Sequence, residues 1–340
     1  MIDSCYLGDV RDVLRAIAAA GIRPRTCVTS PPYWGLRDYG VAGQLGLEPT
    51  IDAYVANMVE VFRLVRDVLA DDGTLWLNLG DSYAGGGNYR GNSLLSEKQA
   101  SNGGAHGQVG AIPIPDGLKP KDLAGVPWRV AFALQADGWW LRQDIIWHKP
   151  NPMPESIRDR CTKAHEYLFL LSKRERYFYD ADAIQEASVT NDPRRPYGSP
   201  GANALDQRGE QGRGQLRTKK PDGWATHAGG PGSFHRDGRE KGAPAMIDAT
   251  TRNRRSVWTI ATEAYPDAHF ATFPTALVEP CILAGSEVGD VVLDPFMGSG
   301  TVAQVAQALG RHWVGCELNP EYHAMQAQRT RSRGLPLTAA

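Results

Sequence analysis

Near the N-terminus, Thr29-Ser30-Pro31-Pro32-Tyr33-Trp34 sets a hydroxyl, two successive prolines and two aromatic rings side by side. Each proline fixes φ and lacks an N–H donor. Ser30, ahead of a proline, is pushed away from helical geometry. The product is a stiff loop that offers carbonyl oxygens, one hydroxyl and aromatic faces. Such parts suit a planar amine: hydroxyl and carbonyl accept hydrogen bonds from an exocyclic NH2 while a ring stacks on the heterocycle, as in enzymes that hold an extruded base. A surface Pro-Pro turn over buried aromatics would use the same residues.

Toward the other end, Asp290-Val291-Val292-Leu293 reads as a strand running into Asp294-Pro295-Phe296-Met297-Gly298-Ser299-Gly300-Thr301. Val302, Val305, Ala306 and Leu309 then recur at helical spacing up to Gly310. A glycine pair between strand and helix lets a ligand approach the backbone and exposes helix N-terminal amides. The next strand, Trp313-Val314-Gly315-Cys316, ends at Glu317, where folds of this type place a carboxylate on ribose hydroxyls. Neither the third glycine of GxGxxG nor the Lys-Ser/Thr of a P-loop is present. The ligand expected is a nucleoside whose attached group is not a polyphosphate. A glycine-tight strand-to-helix turn is the plainer reading of the same loop.

The elements around these loops follow from periodicity. A strand at 5–7, a helix over 10–20 with apolar residues at 10, 13, 14 and 17, and a strand at 26–29 open the chain β-α-β, the usual start of a parallel sheet. Ile51, Tyr54, Val55, Met58, Phe62, Val65 and Leu69 line one face of a second helix, capped by Thr50 or Asp52 and stopped by Gly73. The near-continuous apolar run at 74–79 predicts an interior strand. A helix over 127–137, with proline in its first turn, precedes a strand at 144–147. Residues 167–172 and 177–180 flank a Lys-Arg-Glu-Arg turn and predict a β-hairpin at one edge of the sheet. Regular pattern resumes at 256–260.

Two stretches break the pattern. Residues 84–110 hold eight glycines and almost no aliphatic residues, which predicts a flexible loop, reaching to about 118, at a strand's carboxyl end. Residues 186–256 contain 11 glycines with little periodicity and read as an irregular insertion. The whole chain of 340 residues has a formal charge of −1, yet residues 186–255 carry 13 Lys/Arg against 8 Asp/Glu. Arg208, Arg213, Arg217, Lys219 and Lys220 are the densest part, a local footprint for a polyanion on a neutral protein. Five scattered cysteines form no CxxC pair, and eight histidines form no HxxxH or HxH spacing. A reducing compartment and no metal are expected. Neither a secretory leader nor a membrane-spanning run is read from the sequence.

With both loops in place, the chain resembles the amino-group DNA methyltransferases, which make N4-methylcytosine or N6-methyladenine from S-adenosylmethionine. Residues 29–34 are similar to their (Asp/Asn/Ser)-Pro-Pro-(Tyr/Phe/Trp) motif, residues 294–301 to their cofactor loop, and His269-Phe270-Ala271-Thr272-Phe273-Pro274 to the segment before it. Trp147 to Asn151 and His165-Glu166 resemble middle motifs of the fold. Catalytic motif first and cofactor motif last is the circularly permuted order of the beta class.

The resemblance implies an α/β fold with a Rossmann-like, mostly parallel methyltransferase sheet and an antiparallel edge strand. It divides the chain into a catalytic half at 1–185, an inserted target-recognition region at 186–256, a cofactor half at 257–330 and a tail at 331–340. Ser30, Pro31, Pro32 and Tyr33 would be catalytic, with the Ser30 hydroxyl and Pro31 carbonyl holding the amine and Tyr33 stacking on the base. Asp9, Phe273, Pro274, Asp294, Phe296, Gly298, Gly300, Thr301 and Glu317 would hold S-adenosylmethionine. Trp34, as a supporting wall, and the five basic residues would meet double-stranded DNA. Lys149 would touch phosphate or the motif loop, or be structural. No metal and no covalent enzyme intermediate is implied. A homodimer, a cognate restriction enzyme and a cytoplasmic setting in a bacterium or phage complete the expectation. Serine in the first motif points to cytosine N4, with adenine N6 the alternative. RNA or a protein glutamine amide as substrate, and a silent DNA-binding protein that kept the fold, are the competing readings.

Overall fold

The computed structural model describes residues 2–85, 114, 117–187, 251–263 and 273–330. The chain divides into two units, Met1–Ile184 with Arg255–Ala340, and Gln185–Arg254. Most of the glycine-rich loop at 84–118, the five basic residues at 208–220 and the segment 269–272 lie outside the described residues.

The first unit opens as β1 (Ser4–Leu7), α1 (Val10–Ala19) and β2 (Thr26–Thr29). Asp9 caps α1 by accepting from the Arg11 amide at 2.8 Å, and Val10, Val13, Leu14 and Ile17 form its buried stripe. Helix α2 (Ile51–Val68) starts where the Thr50 hydroxyl accepts from the Ala53 amide at 3.1 Å. It ends five residues before Gly73, which closes the following turn. Then come β3 (Thr74–Leu79), α3 (Val126–Ala136), β4 (Trp140–His148) and β5 (His165–Ser172).

After the insertion the unit resumes with β8 (Val257–Thr259), α4 (Thr275–Gly285), β9 (Val291–Asp294), α5 (Thr301–Ala308), β10 (His312–Glu317) and α6 (Pro320–Arg329). In the second unit the described residues pair β6 (Glu186–Ala187) antiparallel with β7 (Thr251–Arg252), and Arg252 Nε lies 2.8 Å from Glu186 Oε1.

Eight strands form one sheet in the order β1-β10-β9-β2-β3-β5-β4-β8. Its central strands β2, β3, β5, β9 and β10 are largely buried, and successive residues point to opposite sides. Leu75, Leu77 and Leu79 of β3 pack with α1, α2 and α3, while Trp76 points to the other side, with α4 and α5. In β5, Phe169 and Leu171 join the first core and Leu168 and Leu170 the second. This explains why these strands read as unbroken apolar runs rather than alternating ones.

The sheet is mostly parallel, as expected, but two details of the expectation are corrected. The antiparallel strand is β5, which lies inside the sheet between β3 and β4; both edge strands, β1 and β8, are parallel to their neighbours. Residues 177–180 form no hairpin with it. Both hydrogen-bonding edges of β5 are already occupied, so the chain leaves the sheet after the charged turn, and the Phe178 and Asp180 amides donate instead to the Asp72 and Ala284 carbonyls at 2.9 Å each.

Candidate active site

The carboxyl ends of β1, β2, β3, β9 and β10 surround a cavity of about 290 Å³. Two loops from opposite ends of the sequence face each other across it, because β2 and β9 are neighbours in the sheet. Thr29 Oγ1 donates to Asp294 Oδ1 at 2.7 Å, and the Phe296 amide donates to the same oxygen at 3.0 Å. Asp294 is 3% exposed. Burial pushes its carboxyl up to about 7, against the pull of those two hydrogen bonds.

On the β9 side, Glu317 at the tip of β10 accepts from the Gly298 amide at 2.7 Å and from the Asn319 amide at 2.8 Å. One oxygen thereby steadies the glycine turn and the other the start of α6, and each keeps lone-pair capacity. Burial raises the Glu317 carboxyl above its ordinary value. The loop is also held by Gln326 of α6, whose Nε2 donates to the Gly298 carbonyl at 2.7 Å. Arg329 donates to the Ser299 hydroxyl at 3.0 Å and to the Thr301 hydroxyl. Gly300 sits at φ +89°, where an added Cβ would also meet Gln326 Cγ at 3.1 Å. Its lack of a side chain serves the turn and the packing on α6.

On the β2 side, the loop is fixed from below by Tyr54, whose hydroxyl donates to the Pro32 carbonyl at 2.8 Å. Ser30 Oγ lies 3.3 Å from both the Tyr33 hydroxyl and Asn78 Oδ1. The Tyr33 hydroxyl is 2.7 Å from Glu166 Oε2 and 2.9 Å from Asn78 Oδ1. Asn78 is oriented by its own Nδ2, which donates to the Tyr167 carbonyl at 3.0 Å. Glu166 pairs through its other oxygen with Lys149, whose ammonium stands 4.3 Å from the Trp147 ring centroid. Burial first, then the Glu166 charge, push the Tyr33 phenol well above its ordinary value, so it is neutral. One edge of its ring lies against Gly80, where an added Cβ would fall 2.5 Å from Tyr33 Cε2.

Ser30, Pro31, Pro32, Tyr33, Asp9, Phe273, Asp294, Phe296, Gly298, Thr301 and Glu317 all line the cavity. Gly300 and Pro274 are not among the lining residues: Gly300 lies in the turn and Pro274 is the buried residue that starts α4. Trp34 is corrected: it is 2% exposed, packed in the core, and its indole N–H donates to the Glu48 carbonyl at 2.9 Å. A side chain so enclosed offers no wall to DNA. Lys149 lines the cavity, tied to Glu166.

The sequence reading missed Asn78 and gave Glu166 no role. Asn78 alone carried a signal, a polar residue inside an apolar strand run that must find a partner; what that partner is emerges only in the fold. It also passed over residues 36–45, which close one side of the cavity. Gln44 bridges this loop, accepting from the Tyr39 amide at 2.7 Å and donating to the Arg37 carbonyl at 3.1 Å. Tyr39 meets Tyr322 of α6 edge to face at 6.2 Å.

A Rossmann-like sheet carrying these two loops in permuted order is the framework of a beta-class amino-group methyltransferase. A family model described as DNA methylase matches residues 25–329. The chain belongs to that family. It is 44% identical over 328 residues to the Type II methyltransferase M.SmaI of Serratia marcescens, covering 96% of this chain and 90% of that protein. Identity to the Type II methyltransferase M.Cfr9I of Citrobacter freundii is 43% over 317 residues, covering 93% and 84%. Among solved structures, the PvuII DNA methyltransferase (cytosine-N4-specific) superposes with a TM-score of 0.58 at 18% identity, covering 98% of this chain and 87% of that one. Among the described residues no helix is long and apolar enough to cross a membrane, and no His/Cys/Asp/Glu group is placed to hold a metal ion.

Proposed function

We propose that this chain moves a methyl group from S-adenosylmethionine to the exocyclic amine of a base flipped out of double-stranded DNA, the N4 amine of cytosine. The observation that carries the reading is that the Ser30 hydroxyl and the Glu317-braced loop open onto one cavity. The donor set fits the methyl donor. Glu317 offers a carboxylate to ribose hydroxyls, Asp9 borders the adenine, Phe296 and Tyr39 offer apolar walls, and the Gly298–Gly300 turn leaves the backbone open to close approach.

S-adenosylmethionine supplies a methyl group on a sulfonium, a good leaving group. The amine's lone pair is delocalised into the ring, so this chain's work is to localise it. Hydrogen bonds accepted by Ser30 Oγ and the Pro31 carbonyl draw the amine toward tetrahedral geometry, and Tyr33 stacks on the base. Positioning and electrostatics carry the chemistry. Residues 186–256, with Arg208, Arg213, Arg217, Lys219 and Lys220, read the DNA. Relatives called Type II methyltransferases support a modification role beside a restriction enzyme.

The test is to incubate the protein with methyl-labelled S-adenosylmethionine and mixed genomic DNA and to identify the labelled nucleoside by mass. N4-methylcytosine is expected. N6-methyladenine would keep the site and change the target base, and label in neither would overturn the DNA reading.

A further inference from the structure

We propose that Glu166 is the terminal acceptor of the proton that the target amine loses, reached through Ser30 and Tyr33. This rests on the amine-methylation reading above. The geometry is a continuous path of hydroxyls leading away from the cavity. Ser30 Oγ is 3.3 Å from the Tyr33 oxygen, which is 2.7 Å from Glu166 Oε2. Tyr33 owns one hydroxyl proton and has two acceptors in reach, Glu166 and Asn78. The carboxylate is the stronger acceptor and the nearer one, so the phenol donates to Glu166. Asn78 presents an amide oxygen, which accepts a hydrogen bond but does not hold a proton at neutral pH. Glu166 is thus the only base along this path. Lys149 balances its charge from the far side. The 3.3 Å step is the long one, as hydrogen bonds of reacting groups often are before substrate enters.

The step balances as follows. The amine nitrogen attacks the methyl carbon; the N–C bond forms while the S–C bond breaks, and the electron pair goes to sulfur. The nitrogen then holds one surplus proton. That proton passes to Ser30 Oγ, the Ser30 proton passes to the Tyr33 oxygen, and the Tyr33 proton passes to Glu166. Both hydroxyls end neutral, Glu166 ends as the acid, and it later returns the proton to water.

The experiment compares Glu166→Gln, Tyr33→Phe and their combination in single-turnover methylation of DNA, with cofactor affinity measured by calorimetry on the same samples. A glutamine still accepts from Tyr33 but takes no proton. Each single variant is expected to lose roughly 100-fold in the chemical step, the scale of general acid–base catalysis. The double variant should lose no more than either, and cofactor affinity should stay put. In the protein without substrate, the Tyr33 hydroxyl proton resonance, assigned by its loss in Tyr33→Phe, should move upfield in Glu166→Gln. A Glu166→Gln rate equal to the parent's, or an unmoved resonance, would overturn the proposal while leaving the methylation reading intact. A parent protein that labels no DNA would remove that reading and the proposal with it.

Discussion

The Thr29 hydroxyl and the Asp294 carboxylate, 265 positions apart in the chain, meet at 2.7 Å in the middle of the sheet. One ends β2 just before Ser30, and the other ends β9 just before the glycine turn. With the pairing of β2 and β9, this bond ties the loop that would hold the amine to the loop that would hold the methyl donor.

Asp294 makes that junction sensitive to pH. Its carboxyl is raised from 3.8 to about 7 by burial, so the folded protein keeps the proton to higher pH than the unfolded chain. The resulting stabilisation is fully present below about pH 4 and is lost as pH rises through about 7, roughly 4 kcal/mol in all. Asp294→Asn keeps an acceptor for Thr29 and Phe296 and has no proton to lose. Urea denaturation at about pH 5 and pH 8 should show a flatter pH dependence for the variant than for the parent. Parallel slopes would remove Asp294 as its source.

Glu317 should matter to the cofactor before it matters to DNA. Glu317→Ala frees the Gly298 and Asn319 amides and removes the carboxylate from the cavity. Charge-assisted hydrogen bonds of this kind are worth about 1.5–3 kcal/mol each. Calorimetric titration should find S-adenosylmethionine binding at least about ten-fold weaker, with duplex affinity unchanged.

Gly80→Ala tests the seat of Tyr33. The new methyl group would overlap the ring edge, and the ring must tip away from its hydrogen bonds to Glu166 and Asn78. Overpacking of this kind costs about 1–3 kcal/mol, so thermal unfolding should show a folded protein with a lowered midpoint. Its single-turnover rate should fall further than its cofactor affinity.

Trp34→Phe separates core from interface. The change strands the Glu48 carbonyl that the indole served and should destabilise by about 1–3 kcal/mol. DNA affinity of the folded fraction, read by fluorescence anisotropy, should match the parent's. A specific loss of DNA binding would return Trp34 to the surface role that its sequence neighbours suggested.

Which parts of this were legible before folding follows from the range of the interactions. Helix α2 and strand β3 were readable because their signals are local: a Thr50 cap, a 3.6-residue stripe and an apolar run. The two site loops were readable because proline and glycine constrain their own backbone. The place of β5 was not, because Phe169 pairs with Leu77 of β3 and with Asp144 of β4, and nothing in residues 165–180 encodes those partners. Trp34 failed for the same reason: its type suited a stacking wall, and only the fold around it, with the Glu48 carbonyl in reach, made it core. Asn78 and Glu166 gained meaning only when β3 and β5 came together beside Tyr33.

The Ser30 hydroxyl is the group on which the proposed chemistry turns, and Ser30→Ala in single-turnover methylation tests it most directly. Removing one well-placed hydrogen-bonding group from an active site typically costs about 100- to 1,000-fold in rate. A loss of that size at saturating cofactor and duplex DNA, with both still bound as tightly as by the parent, is the predicted result. A variant that methylates DNA at the parent's rate would contradict it.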